Sequence, residues 1–262
     1  MGNRTKFFVS TLVVMALGRV CFGDDPPQAS QTSTQPTSCS VSDFGTSFTF
    51  SVPPICAGSI EAEIGFLSLG DTRLLPAVIT VAPFKSKTDF TVLVNLLDSE
   101  APAHNRTIHF GDRFDFVVRQ QIFEKSGLVL TVAPRGAFFT GGFHGGRVGA
   151  AFGIQYSKGN NLCVANFTFT RAIDSSSLNP RTDYQVAFDY YRTLNKKGVA
   201  VFVGFQHETS TGTLRTISTE QGLVLPFRNG QVELAMEQLN LNTKPVWQFQ
   251  ARVILTGKLL HK

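Results

Sequence analysis

The chain has 262 residues, of which 42% are hydrophobic and only 16% charged, against roughly 25% charged in ordinary soluble domains. Its formal charge of +5 is not a nucleic-acid-binding balance: three of the 24 basic residues (Arg4, Lys6, Arg19) and none of the 19 acids lie in positions 1–23, so the remainder carries +2. Beyond those positions no stretch reaches the roughly 18 uncharged apolar residues of a membrane-spanning helix, which excludes helical spans.

Residues 1–23 read as a signal peptide. Arg4 and Lys6 give a basic start, Phe7 to Leu17 is an apolar run too short to span a bilayer, and small residues lead to cleavage near Gly23. Residues 24–57 begin with Ser, Thr, Gln and Pro and almost no apolar content, the composition of a disordered leader in the periplasm. Export permits a disulfide between Cys39 and Cys56. Cys163, in an apolar run, is expected to be a small packing residue rather than a reactive thiol.

From Gly58 to residue 257 the pattern changes to runs of about ten residues that alternate apolar and polar between turn residues. Ile60, Ala62, Ile64 and Phe66 oppose Glu61 and Glu63. Phe114, Phe116 and Val118 oppose Asp115 and Arg119. Tyr184, Val186 and Phe188 oppose Gln185, Ala187 and Asp189. Val232, Leu234 and Met236 oppose Glu233 and Glu237, and Trp247, Phe249, Ala251, Val253 and Leu255 oppose Gln248, Gln250 and Arg252. Successive side chains of a strand point to opposite faces, so one face is apolar and the other polar. About twelve such runs begin near residues 59, 73, 89, 112, 128, 147, 161, 184, 199, 215, 231 and 246.

The expected fold is all-β, an antiparallel transmembrane β-barrel of about twelve strands, with residues 258–262 as a C-terminal tail. Short connections near Lys85, Ser126, Asn160, Lys196 and Asn229 alternate with a set that includes longer ones (98–111, 140–146, 174–183, 208–214), the arrangement of periplasmic turns and external loops. Tyr184 and Trp247 at one end of their strands, and Tyr156 and Tyr190 at the other, suit the two membrane interfaces. A basic side chain facing lipid at the midplane costs about 2 to 4 kcal/mol. That places Glu61, Glu63, Asp115, Arg119, Arg135, Arg147, Asp189, Glu233, Glu237 and Arg252 in the lumen.

The segment Gly58-Ser-Ile-Glu-Ala-Glu-Ile-Gly65, the Leu75-Pro76-Ala77 and Asp89-Phe90-Thr91-Val92 strands that follow, Gly111-Asp112, and Val132-Ala-Pro-Arg-Gly136 with Thr140-Gly-Gly142 resemble the MetA-pathway phenol-degradation family, often described as transporters. The resemblance covers about residues 58–257. It implies an outer-membrane barrel associated with small organic compounds. Two features depart from the pattern: Arg135 stands in the Pro-Arg-Gly segment where the family has Pro-Thr-Gly, and Leu259-Leu260-His261-Lys262 lacks a terminal aromatic.

The functional expectation is an outer-membrane barrel, in a bacterial cell, that binds or passively transports small solutes of aromatic or hydrophobic character; the alternative is a closed structural or surface-interaction barrel. The expected partners are outer-membrane lipid, a small-molecule solute and the barrel-assembly machinery, with no nucleic acid. Neither reading requires a cofactor or metal, and neither is enzymatic. His207-Glu208-Thr209-Ser210 places a histidine near a serine, but nucleophilic catalysis needs a base in reach of the hydroxyl and a third orienting group. Gly141 to Gly146 lacks the Lys-Ser/Thr ending of a phosphate loop. His104 and His109 have no companions at metal-ligand spacing.

Overall fold

The computed structural model describes residues 52–259 apart from 70–71, 84–86, 101–106, 110–112, 140–144, 174–181, 211–214 and 242–243. The expected signal peptide, most of the leader, Cys39, the last tail residues and most of the longer loops lie outside the described residues.

The strands in chain order are β1 (Ser59–Leu69), β2 (Thr72–Val81), β3 (Thr88–Glu100), β4 (Thr107–His109), β5 (Arg113–Lys125), β6 (Leu128–Phe139), β7 (Gly145–Lys158), β8 (Asn161–Ile173), β9 (Thr182–Thr193), β10 (Ala200–Ser210), β11 (Arg215–Phe227), β12 (Gly230–Leu239) and β13 (Val246–Lys258). Each pairs antiparallel with its neighbours, and β1 pairs with β13, so the sheet closes. β4 and β5 both pair with β3, at its two ends, and form one interrupted stave. The ring therefore has twelve staves. Closure leaves no unpaired edge, the condition a sheet must meet inside hydrocarbon.

Short connections gather at one end, here the turn end. Ser126 and Gly127 both have positive φ (51° and 81°), the backbone of a two-residue hairpin whose twist matches its strands. A side chain on Gly127 would strike the backbone of Ser157. Two irregularities bend the wall. The β2–β3 register slips between Leu75 and Pro76, where proline has no N–H to donate. The β5–β6 register slips between Gln121 and Phe123, and beyond it Ile122 and Phe123 are both exposed.

The period-two pattern sorts the wall into two faces. Ile64, Phe66, Phe116, Phe152, Val186, Met236, Trp247, Phe249 and Val253 are all exposed on the outside. In water this would be a large apolar patch; around a closed barrel it is the band that contacts acyl chains. Phe116 and Phe138 meet edge to face on that band, ring centroids 5.9 Å apart.

The last residues of the expected leader depart from disorder. Val52 to Ile55 are buried, and Val52 packs among Val129, Val164, Tyr191, Ala200, Phe202 and Val224 on the inside of the turn end. The low-complexity stretch before them carries no sign of this, because a short apolar segment becomes structured only when a closed wall surrounds it.

Candidate functional site

The interior is built by the inward positions of the staves. Asp115, Arg119, Asp189, Glu233, Glu237 and Arg252 are buried, and Glu61, Glu63, Arg135 and Arg147 are partly buried. Register decides which of them meet.

Glu233 on β12 and Arg252 on β13 are direct cross-strand partners, and the guanidinium donates to Glu233 Oε2. The same guanidinium donates to Glu63 Oε1 at 3.3 Å from the other side. Its stem runs over Gly65, Arg252's partner on β1, where a methyl group would lie 3.5 Å from Arg252 Cγ. Three expected lumen residues from three strands thus form one cluster.

Arg119 pairs with a residue outside the expected set. It donates from Nε and Nη2 to the two oxygens of Asp89, at 2.8 and 2.5 Å, and both partners are almost wholly enclosed. Asp89 also accepts the backbone N–H of Ile55 at 2.9 Å. Sequence reasoning missed Asp89 as a site residue, although its signal was present: Phe90 beside it is apolar and exposed, so period two turns Asp89 inward.

Asp189 and Glu237 stand in one row across four strands. Asp189 faces Gly204, Gly204 faces Glu220, and Glu220 faces Glu237. Gly204 has no side chain, and a methyl group there would overlap the Asp189 carboxylate and lie 2.6 Å from Glu220 Cγ. The row therefore brings acids close around a gap in the wall. Glu220 was also missed; it alternates with Gln221, which made the outward face hard to identify from the sequence.

Toward the other end, the loop end, the inside holds a cavity of about 130 Å³. Arg135, Arg147, Thr168, Asp183, Gln185 and Glu208 line it. Arg147 pairs with Asp183 at 3.3 Å, and Gln185 Nε2 donates to Gln206 Oε1 at 2.9 Å. At roughly 30 Å³ per water, the space holds about four waters or one small polar solute. It is smaller than the roughly 300 Å³ at which drug-sized pockets begin.

No protein-family model matches this sequence, and no curated protein matches it. Solved structures do share the fold. The "COG4313 outer membrane channel from Pseudomonas putida F1" superposes with a TM-score of 0.56 at 9% identity, over 79% of this chain and 98% of that one. The NanC porin superposes with a TM-score of 0.55 at 8% identity, over 75% of this chain and 98% of that one. At such identities the likeness is one of architecture: a closed antiparallel barrel of outer-membrane type.

Two sequence expectations meet the structure differently. Cys163, expected to be a packing residue, is disulfide-bonded, as is Cys56; spacing along a strand carries no mark of a partner distant in sequence. His207 Nε2 lies 2.9 Å from Thr209 Oγ1. His207 faces the exposed Val186 across β9 and β10, so it belongs to the outward side. Glu208 lines the internal cavity on the opposite side. His207 and Glu208 thus face opposite sides of the wall, and the Ser210 side chain lies outside the described residues.

Proposed function

We propose that the chain is a bacterial outer-membrane β-barrel that binds and passively passes small solutes. The observation that carries this reading is the division of the wall: an apolar band outside, and inside a polar, charged lumen with a cavity at the loop end. Facing acids and bases across such a lumen select solutes by charge and hydrogen bonding. The fold shared with an outer-membrane channel and a porin supports the same reading. The reading is non-enzymatic.

The solute class follows from the lining. Arg135, Arg147, Asp183, Glu208 and Gln185 present both charges and amide groups, which favours a small polar or zwitterionic solute. An aromatic or hydrophobic solute has support only in the family resemblance. The apolar band makes lipid the constant partner, and a chain of this kind reaches the membrane through the barrel-assembly machinery.

Conductance across a planar bilayer holding the reconstituted protein tests the reading, with uptake by vesicles of a small amino acid as the second measure. Ion flow and solute entry are expected. A bilayer that stays sealed, together with unchanged uptake, overturns it. The second reading, a closed structural or surface-interaction barrel, draws on the buried ion pairs and the enclosed Val52 segment. Trimming residues 174–183 separates the two, since a channel continues to conduct and a surface-interaction barrel loses its partner.

A further inference from the structure

Gln221 puts an amide on the outer wall where the hydrocarbon is deepest. It is the central residue of the thirteen-residue strand β11, and it is exposed. It points outward, facing Val203 on β10 and Met236 on β12, both of them exposed on the apolar band. Outward residues near the middle of other staves include Phe116, Phe152, Val186 and Val253, all apolar.

An amide carries two N–H donors and a carbonyl acceptor. In hydrocarbon it loses its hydrogen bonds to water and gains none from acyl chains. The side chain is too short to escape. Either end of β11 lies about 20 Å away along the strand, or about 15 Å in depth at the usual tilt of such strands. Among the described residues no hydrogen bond to the Gln221 amide is formed. Beside it the wall is hollowed: Val203, Leu223, Leu234, Met236 and Phe249 edge a shallow groove of about 470 Å³ that includes Gln221. Close approach of two walls is what association in lipid requires, because acyl chains are as apolar as the side chains they would replace.

We propose that the β10–β12 face docks a second copy of this chain in the membrane, with a two-fold axis beside Gln221. Two copies inserted with the same sidedness can be related by a two-fold axis along the membrane normal, and that rotation preserves depth. Each Gln221 therefore meets its counterpart at its own level. A two-fold interface is self-complementary, and so is the amide pair, since each side donates an N–H and accepts at its carbonyl. An unrelated protein would have to present a polar group at the same depth by coincidence, and an acyl chain presents none. The pairing needs an inserted barrel and does not depend on whether the lumen conducts.

Sedimentation equilibrium of the full mature chain in density-matched detergent micelles is expected to show monomers in equilibrium with dimers. Gln221→Leu is expected to weaken the dimer by roughly tenfold, the scale of a hydrogen-bonded polar pair between membrane spans. In phospholipid vesicles, Gln221→Cys is expected to give an oxidant-induced dimer on a non-reducing gel. Phe116→Cys on β5, six staves away on the opposite wall, is expected to give none. Heat-modifiable migration shows that each variant has formed its barrel. Should Gln221→Leu not form one, the cross-linking comparison decides alone. A chain that stays monomeric in micelles and forms no cross-link at position 221 overturns the proposal, and leaves the amide to lipid or to another protein. Equal association of Gln221→Leu and the unaltered chain overturns it too, as does cross-linking of Phe116→Cys to the same extent as Gln221→Cys.

Discussion

Asp89 and Arg119 are direct cross-strand partners on β3 and β5, joined by two hydrogen bonds with almost no exposure to solvent. The geometry is bidentate, which suits the guanidinium fork to a carboxylate. Asp89 also accepts the backbone N–H of Ile55, just ahead of β1.

Breaking this pair from one side leaves a buried charge without compensation. Arg119→Met should cost about 3–5 kcal/mol, the range for removing one partner of a buried ion pair. Replacing both, as Asp89→Asn with Arg119→Met, should cost less than Arg119→Met alone. Urea unfolding of the protein in lipid vesicles measures both. Equal or greater loss in the double variant would show that the pair is not a closed unit.

Outward residues should report membrane depth. Val253 sits at the middle of β13 and Trp247 at its loop end, both exposed. Val253→Arg should destabilise the inserted barrel by about 2–4 kcal/mol, and Trp247→Arg by about 0–1 kcal/mol for its charge, since the cost falls toward the interface. The same urea titration gives the comparison. A reversed order would place the bilayer at a different height on the wall.

Gly204 is required by its neighbours' carboxylates. Gly204→Ala inserts a methyl group against Asp189 and Glu220. A loss of about 1–3 kcal/mol is expected, the usual scale for overpacking. Combining it with Glu220→Ala should recover part of the loss, and thermal unfolding of the four proteins in detergent provides the cycle.

Arg147 and Asp183 line the loop-end cavity as a half-open pair. Arg147→Gln should move the reversal potential under a salt gradient toward cation preference, and Asp183→Asn toward anion preference. Arg147→Gln should change stability by no more than about 1 kcal/mol, because the Arg147 side chain is 36% exposed and its charge is screened. Shifts in the same direction for both would argue that the cavity is off the conducting path.

Much of the wall was legible in the sequence. The runs expected from residues 59, 128, 161, 215 and 246 begin where β1, β6, β8, β11 and β13 begin, and the others lie close. Inward and outward assignments for Glu61, Asp189, Glu233 and Arg252 follow from alternation with strong neighbours such as Ile60, Val186, Leu234 and Val253. Where the neighbour was itself polar, as Gln221 beside Glu220, alternation carried no sign.

Strand period, the approximate strand number and the face of side chains beside strongly apolar neighbours are local properties, set by a backbone that turns successive side chains to opposite sides. The sequence by itself determined those. Which charges meet, that Arg252 bridges Glu63 and Glu233, that Arg119 faces Asp89, and that Val52 packs inside the turn end, only the tertiary structure decided. These depend on the register between strands and on the closure of the ring, which bring together residues as distant as Glu63 and Arg252, 189 positions apart in sequence, and no pattern along one strand encodes such a meeting.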